Sequence, residues 1–200
     1  MPDYTARMQK VQQLMAEQGI DLLFLPRSAS LSYLTGIHRD EPNFGNTVHP
    51  GEWVTGAWIA PGKAPVLTLP RMTADFHLGV SGYDVRVLPD TADPLALVRA
   101  VLHDLGVSGR ASVALEERAW AETTLAIQSL LPEARMSIST ALLMPLRMIK
   151  DEEEIAIMRQ AGVITELAYQ ATLARLKHGM TTLDLITEVN YQLRLYGAST

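Results

Sequence analysis

The chain has 200 residues, of which 48% are hydrophobic and none is cysteine, and its 17 basic and 22 acidic side chains leave a net charge of −5. That balance, with no cluster of Lys and Arg, gives no electrostatic footprint for nucleic acid or an anionic membrane, and the missing cysteines exclude disulfides, thiolate zinc sites and a cysteine nucleophile. The polar start Met-Pro-Asp-Tyr-Thr and the lack of any apolar run near the roughly 18 residues of a membrane span lead to the expectation of a soluble cytoplasmic protein.

From Asp3 to Gln18 an apolar face of Met8, Val11, Leu14 and Met15 predicts a helix stopped by Gly19. Asp21 to Leu25 is short, apolar and bounded by Gly19 and Pro26, which predicts a strand buried on both faces. Ser28 to Leu34 reads as a short helix leading to Gly36. Ile37 to Gly51 has no period and is rich in Pro, Gly, Asn and charge, so it is a long loop of the kind that carries function. Strands are expected at Glu52–Ala60 and Pro65–Leu69 around the turn Pro61-Gly62-Lys63, then a helical turn at Thr73–Leu78 and a strand at Asp84–Leu88. Asp93-Pro94 opens a helix whose stripe is Leu95, Val98, Leu102 and Leu105, ended by Gly106. A strand at Ala111–Leu115, a helix at Trp120–Leu131 and a last strand at Met136–Ile138 follow. Paired strands with interspersed helices predict an α/β fold, a mixed sheet flanked by helices. A hinge is expected near Thr140 to Lys150, where Pro145 interrupts an apolar stretch.

Beyond it lies the most informative stretch. Asp151 is a good N-cap, Glu154 stands three residues on, and Glu152 to Glu154 place negative charge where the helix dipole favours it. Ile155, Met158, Gly162, Thr165, Tyr169, Thr172 and Leu176 then recur as a stripe, with an end near Lys177 and Gly179 as the C′ residue. Thr181 with Asp184 restarts the pattern, and Leu185, Ile186, Val189, Leu193 and Tyr196 carry it toward Gly197, which predicts a helical hairpin.

The run Arg147-x-Ile149-Lys150-Asp151-x-x-Glu154-Ile155-x-x-Met158-Arg159-x-Ala161, followed by Lys177-x-Gly179-Met180-Thr181, resembles the opening of the pita-bread catalytic domain of the prolidase, aminopeptidase P and creatinase family. Tyr33-Leu34-Thr35-Gly36 is similar to a segment of the same family's N-terminal domain. The resemblance implies a ribonuclease-H-like (creatinase/prolidase N-terminal) domain over residues 1–145 and the first helices of an incomplete pita-bread domain over 146–200. It further implies a parent enzyme hydrolysing Xaa-Pro bonds in dipeptides or short peptides with two divalent metal ions, Mn, Co or Zn, held by two Asp, one His and two Glu. Those ligands would lie downstream of this sequence. The expectation is therefore no catalytic residue and no metal bound in this chain, with the N-terminal domain contributing to a homodimer and to substrate-size selection. A non-catalytic dimerisation or peptide-binding module and a creatinase-like hydrolase working without metal remain the alternatives.

Within the long loop, His38, Arg39, Asp40 and Glu41 place imidazole and carboxylates side by side, which suits either a metal or the charged ends of a short peptide. A solvated loop is the plainer account, since there is no His pair at i, i+4 and no His-Glu-x-x-His. The resemblance adds that this loop reaches toward the partner subunit's active site, which makes His38, Arg39 and Asp40 candidates for substrate contact. Phe44 and Trp53, in and beside the loop, are candidates for interface anchors. Glu116-Glu117 could be read as a carboxylate pair, but adjacent residues do not face each other. Ser28, Ser30 and Ser32 lack a Gly-x-Ser-x-Gly elbow, and no glycine-rich phosphate cradle is present.

Overall fold

The computed structural model describes residues 3–37, 51–71, 73–74 and 83–198. The chain divides into two compact units, Asp3–Met148 and Ile149–Thr200.

In the first unit, helix α1 (Tyr4–Gln18) is capped by the Asp3 carboxylate, which accepts from the Ala6 N–H, and ends at Gly19. Strand β1 (Leu22–Pro26) alternates its side chains between two cores, and Leu22, Leu23, Phe24 and Leu25 are all fully buried. Helix α2 (Ala29–Thr35) follows. A 3₁₀ turn at Glu52–Val54 then leads into β2 (Gly56–Ile59) and β3 (Val66–Pro70). Strand β4 (Asp84–Leu88), helix α3 (Pro94–Leu105), β5 (Ser112–Leu115), helix α4 (Ala121–Leu130), β6 (Arg135–Ile138) and helix α5 (Thr140–Met148) complete the unit.

The six strands form one sheet in the order β4-β3-β2-β1-β5-β6. Strand β2 runs antiparallel to both neighbours, β1 and β3, whereas the pairs β3/β4, β1/β5 and β5/β6 are parallel. One face carries Leu22, Phe24, Trp58 and Val113 against α3, α4 and the 3₁₀ turn; the other carries Leu23, Leu25, Ile59 and Ala114 against α1, α2 and α5. This is the mixed α/β sheet that the order of elements predicted.

Two expectations need correction here. Glu52–Ala60 is not a continuous strand, because the Val54 and Thr55 N–H groups bond back to the Gly51 and Glu52 carbonyls. That turn puts the neighbours Trp53 and Val54 into one and the same core, whereas successive residues of a strand face opposite sides. Nor does Pro145 interrupt the chain: it sits inside α5. An internal proline costs a helix about 3 kcal/mol, and burying Leu142, Leu143 and Leu146 returns roughly 1.5–3 kcal/mol each. Packing wins over the missing N–H.

In the second unit, α6 (Glu152–Arg175) opens with a complete capping box: the Glu154 N–H donates to the Asp151 carboxylate at 2.8 Å and the Asp151 N–H to the Glu154 carboxylate at 2.9 Å. Helix α7 (Thr182–Leu195) repeats the device with Thr181 and Asp184. Gly179 is not the residue that ends α6. The helix leaves through Leu176 in extended conformation, and Gly179, at φ +90°, occupies the third place of a turn closed by the Met180 N–H on the Lys177 carbonyl. Of the expected α6 stripe only Thr172 is buried, beside Ala168. With 24 residues against 14, α6 outruns α7 by roughly 15 Å at 1.5 Å per residue, so its first half has no facing helix within the hairpin.

No helix among the described residues is long and apolar enough to cross a membrane.

Candidate functional site

The sequence points to the loop between α2 and the 3₁₀ turn. His38, Arg39, Asp40 and Phe44 lie outside the described residues, as does most of the expected turn at Thr73–Leu78. What the structure shows is how the two ends of that loop are held.

At the outgoing end, the Ser28 hydroxyl accepts from the Leu31 N–H at 3.1 Å and starts α2. The helix stops at Gly36, whose φ of +75° favours glycine, and a Cβ there would lie 2.7 Å from the Tyr4 ring. Ile37 is then locked from both sides. The Ser32 hydroxyl donates to its carbonyl at 2.6 Å, and its N–H donates to the Thr35 hydroxyl at 3.2 Å. The tetrapeptide Tyr33-Leu34-Thr35-Gly36 therefore does structural work, fixing the point from which the loop departs.

At the returning end, Gly51 adopts φ +92°, and a Cβ would meet the Leu88 side chain at 2.5 Å. The Thr123 hydroxyl donates to the Trp53 carbonyl at 2.9 Å. The Trp58 indole N–H donates to the Thr68 hydroxyl at 2.7 Å, and that hydroxyl donates onward to the Val54 carbonyl. Two side chains, Thr68 of β3 and Thr123 of α4, thus satisfy carbonyls of the buried turn, with Trp58 of β2 holding Thr68 in place. Thr68 and Thr123 were not legible as site-holding residues, because a threonine in a strand or helix has no sequence signal of its bonding partner.

Trp53, an expected interface anchor, is 6% exposed and belongs to the core of the α3/α4 face. Its ring braces the returning end of the loop and offers little surface to a partner.

The carboxylates of Glu116 and Glu117 do not form a pair. Glu116 is buried at the end of β5, whereas Glu117 is exposed and accepts from the Thr140 hydroxyl at 3.0 Å. The Glu117 carboxyl is held below the usual carboxylate range, first by its own backbone N–H and then by Thr140, with Arg118 and Arg147 adding to the effect. Among the described residues no group of three His, Asp or Glu side chains comes together to hold a metal ion. Of the histidines, His103 lies exposed in the last turn of α3 beside Asp104, and His178 lies in the turn between α6 and α7.

Helices α2 and α5 are joined by two hydrogen bonds at Tyr33 and Arg147, the first residues of the two stretches that carry the family resemblance. The Tyr33 hydroxyl donates to the Leu146 carbonyl at 2.9 Å, and the Arg147 guanidinium donates to the Ser30 hydroxyl at 3.3 Å. The Tyr33 ring is in turn covered by the Arg7 guanidinium at 4.2 Å.

Residues 7–149 match the Creatinase/Prolidase N-terminal domain, and the chain belongs to that family. It is similar to the uncharacterized peptidase YqhT of Bacillus subtilis (strain 168), with 23% identity over 198 residues, 96% of this chain and 50% of the relative. Among solved structures it resembles a recombinant prolidase from Thermococcus sibiricus, with TM-score 0.86 and 16% identity, covering 100% of this chain and 52% of that one. A dipeptidase from Pyrococcus horikoshii OT3 gives TM-score 0.78 and 23% identity, covering 94% of this chain and 49% of that one. At these identities the structural likeness shows the fold. The chain spans about half the length of the curated relatives it matches.

Proposed function

We propose that this chain is the N-terminal part of a cytoplasmic metallopeptidase that hydrolyses Xaa-Pro bonds in dipeptides or short peptides. The observation that carries the reading is the family match over residues 7–149, joined to a helical hairpin and spanning half of each related peptidase. In this reading residues 1–145 form the creatinase/prolidase-like domain, and residues 146–200 open the pita-bread domain. Two divalent ions, Mn, Co or Zn, would act in the longer protein, on ligands beyond the described residues. The part played by this chain is to wall the cleft, to set substrate length and to build a homodimer through its first unit.

The test is an assay of Xaa-Pro dipeptides with Mn, Co or Zn added. Purified residues 1–200 should show no turnover, and a chain extended along its reading frame past Thr200 should show it. Turnover that stays with the 200-residue chain through stringent purification would overturn the proposal. In the extended chain, replacing His38, Arg39 or Asp40 by Ala should shift KM or the preference between dipeptides and longer peptides while kcat stays within about tenfold. A fall in kcat of several orders of magnitude would move these residues into the chemistry itself.

A further inference from the structure

Helix α5 is a weakened element in a decisive place. It is the last element of the first unit, it contains Pro145, and its final carbonyls are among the four that no α-helix can satisfy internally. Two of its last residues are nevertheless held from outside, both by α2. The Tyr33 hydroxyl takes the orphan carbonyl of Leu146, and the Ser30 hydroxyl accepts from the Arg147 guanidinium. Ser30 is 4% exposed and Leu146 6% exposed, so both bonds are anchored in the core. Arg147 also stands in the field of the Glu117 carboxylate at the end of β5. The clasp is itself braced. Arg7 of α1 lies over the Tyr33 ring and donates to the Tyr33 carbonyl at 3.2 Å.

We propose that α2 is a strap that fixes the exit of the first unit. Through Tyr33 and Ser30 it holds the last turn of α5, the element with which the first unit ends. The same short helix also holds Ile37, through Ser32 and Thr35. Ile37 and the last turn of α5 are thereby bonded to one and the same helix. Local bonding accounts for half of this arrangement; the 113-residue separation of Tyr33 and Leu146 shows that the other half is a long-range contact.

Amide hydrogen exchange on residues 1–200 tests the strap, with Tyr33→Phe and Ser30→Ala as the variants. Phenylalanine keeps the ring beneath Arg7 and removes only the hydroxyl. Loss of one such bond should speed exchange in the last turn of α5 roughly 2- to 10-fold in each variant, with a larger increase in the double variant. Exchange in β1 and β5 should stay within about twofold of the parent, since opening is local. Unchanged exchange at residues 146–148 in both variants would overturn the proposal. So would an equal rise in α5 and in β1, because the hydroxyls would then support the unit as a whole and not its exit.

Discussion

Replacing Trp58 by Ala should destabilise the first unit by about 3–5 kcal/mol, the range for truncating a buried aromatic side chain. Trp58 is fully buried, its ring lies 4.3 Å from that of Phe24 at a tilt of 46°, and its indole N–H donates to Thr68. Truncation opens a cavity at the middle of the sheet and also frees the Thr68 hydroxyl that holds the Val54 carbonyl. Because a domain is stable by only about 5–15 kcal/mol in total, the loss should be visible as a lower urea midpoint with little change in slope. Trp58→Phe keeps most of the volume and removes one hydrogen bond, so it should cost about 1–2 kcal/mol. Equal losses in the two variants would show that the bond to Thr68, and not packing, carries the effect.

The hairpin over Ile149–Thr200 should exchange its amide hydrogens at least about 100-fold faster than β1, because little apolar surface is buried inside it. Met158, Val163, Tyr169, Leu183, Ile186 and Leu195 are each more than half exposed, and among the described residues of the hairpin only Ala168, Thr172 and Gln192 are buried. A capping box starts each of its two helices. The effect should grow in acid. The Asp184 carboxyl is held below its ordinary value, first by the Thr181 hydroxyl and then by the Thr181 N–H. A depressed carboxyl contributes stability above its unfolded value of about 3.9, and that contribution fades as pH falls through the folded value. Helicity of residues 182–195 should therefore drop below about pH 4, ahead of the sheet. Protection of the hairpin equal to that of Leu22–Leu25, in a chain shown to be monomeric, would contradict this account.

Local chemistry set much of the fold directly. Asp3, Ser28, Asp93, Asp151 and Thr181 each cap the helix that the sequence placed after them, because a cap needs only a side-chain oxygen within three residues of the N–H it serves. The buried strand at Leu22–Leu25 was equally legible, since an apolar run between Gly19 and Pro26 has no other way to bury both faces. The two family signatures were legible as well, in residues 33–36 and 147–161.

Other features were decided by contacts between residues far apart, and those no local pattern carries. The placing of antiparallel β2 between β1 and β3 depends on pairings such as Phe24 with Trp58 and Trp58 with Val66. Trp53 reads as a surface anchor from its neighbours in sequence, yet Thr123, seventy residues on, takes its carbonyl and the core of the α3/α4 face takes its ring. Pro145 reads as a break, yet burial of three leucines carries α5 through it. The sequence by itself determined where helices start, which runs become strands and which family the chain resembles, because each rests on groups a few residues apart. Only the tertiary structure decided that Tyr33 and Leu146, 113 residues apart, would share a hydrogen bond, because that depends on how the whole sheet brings α2 and α5 together on one face.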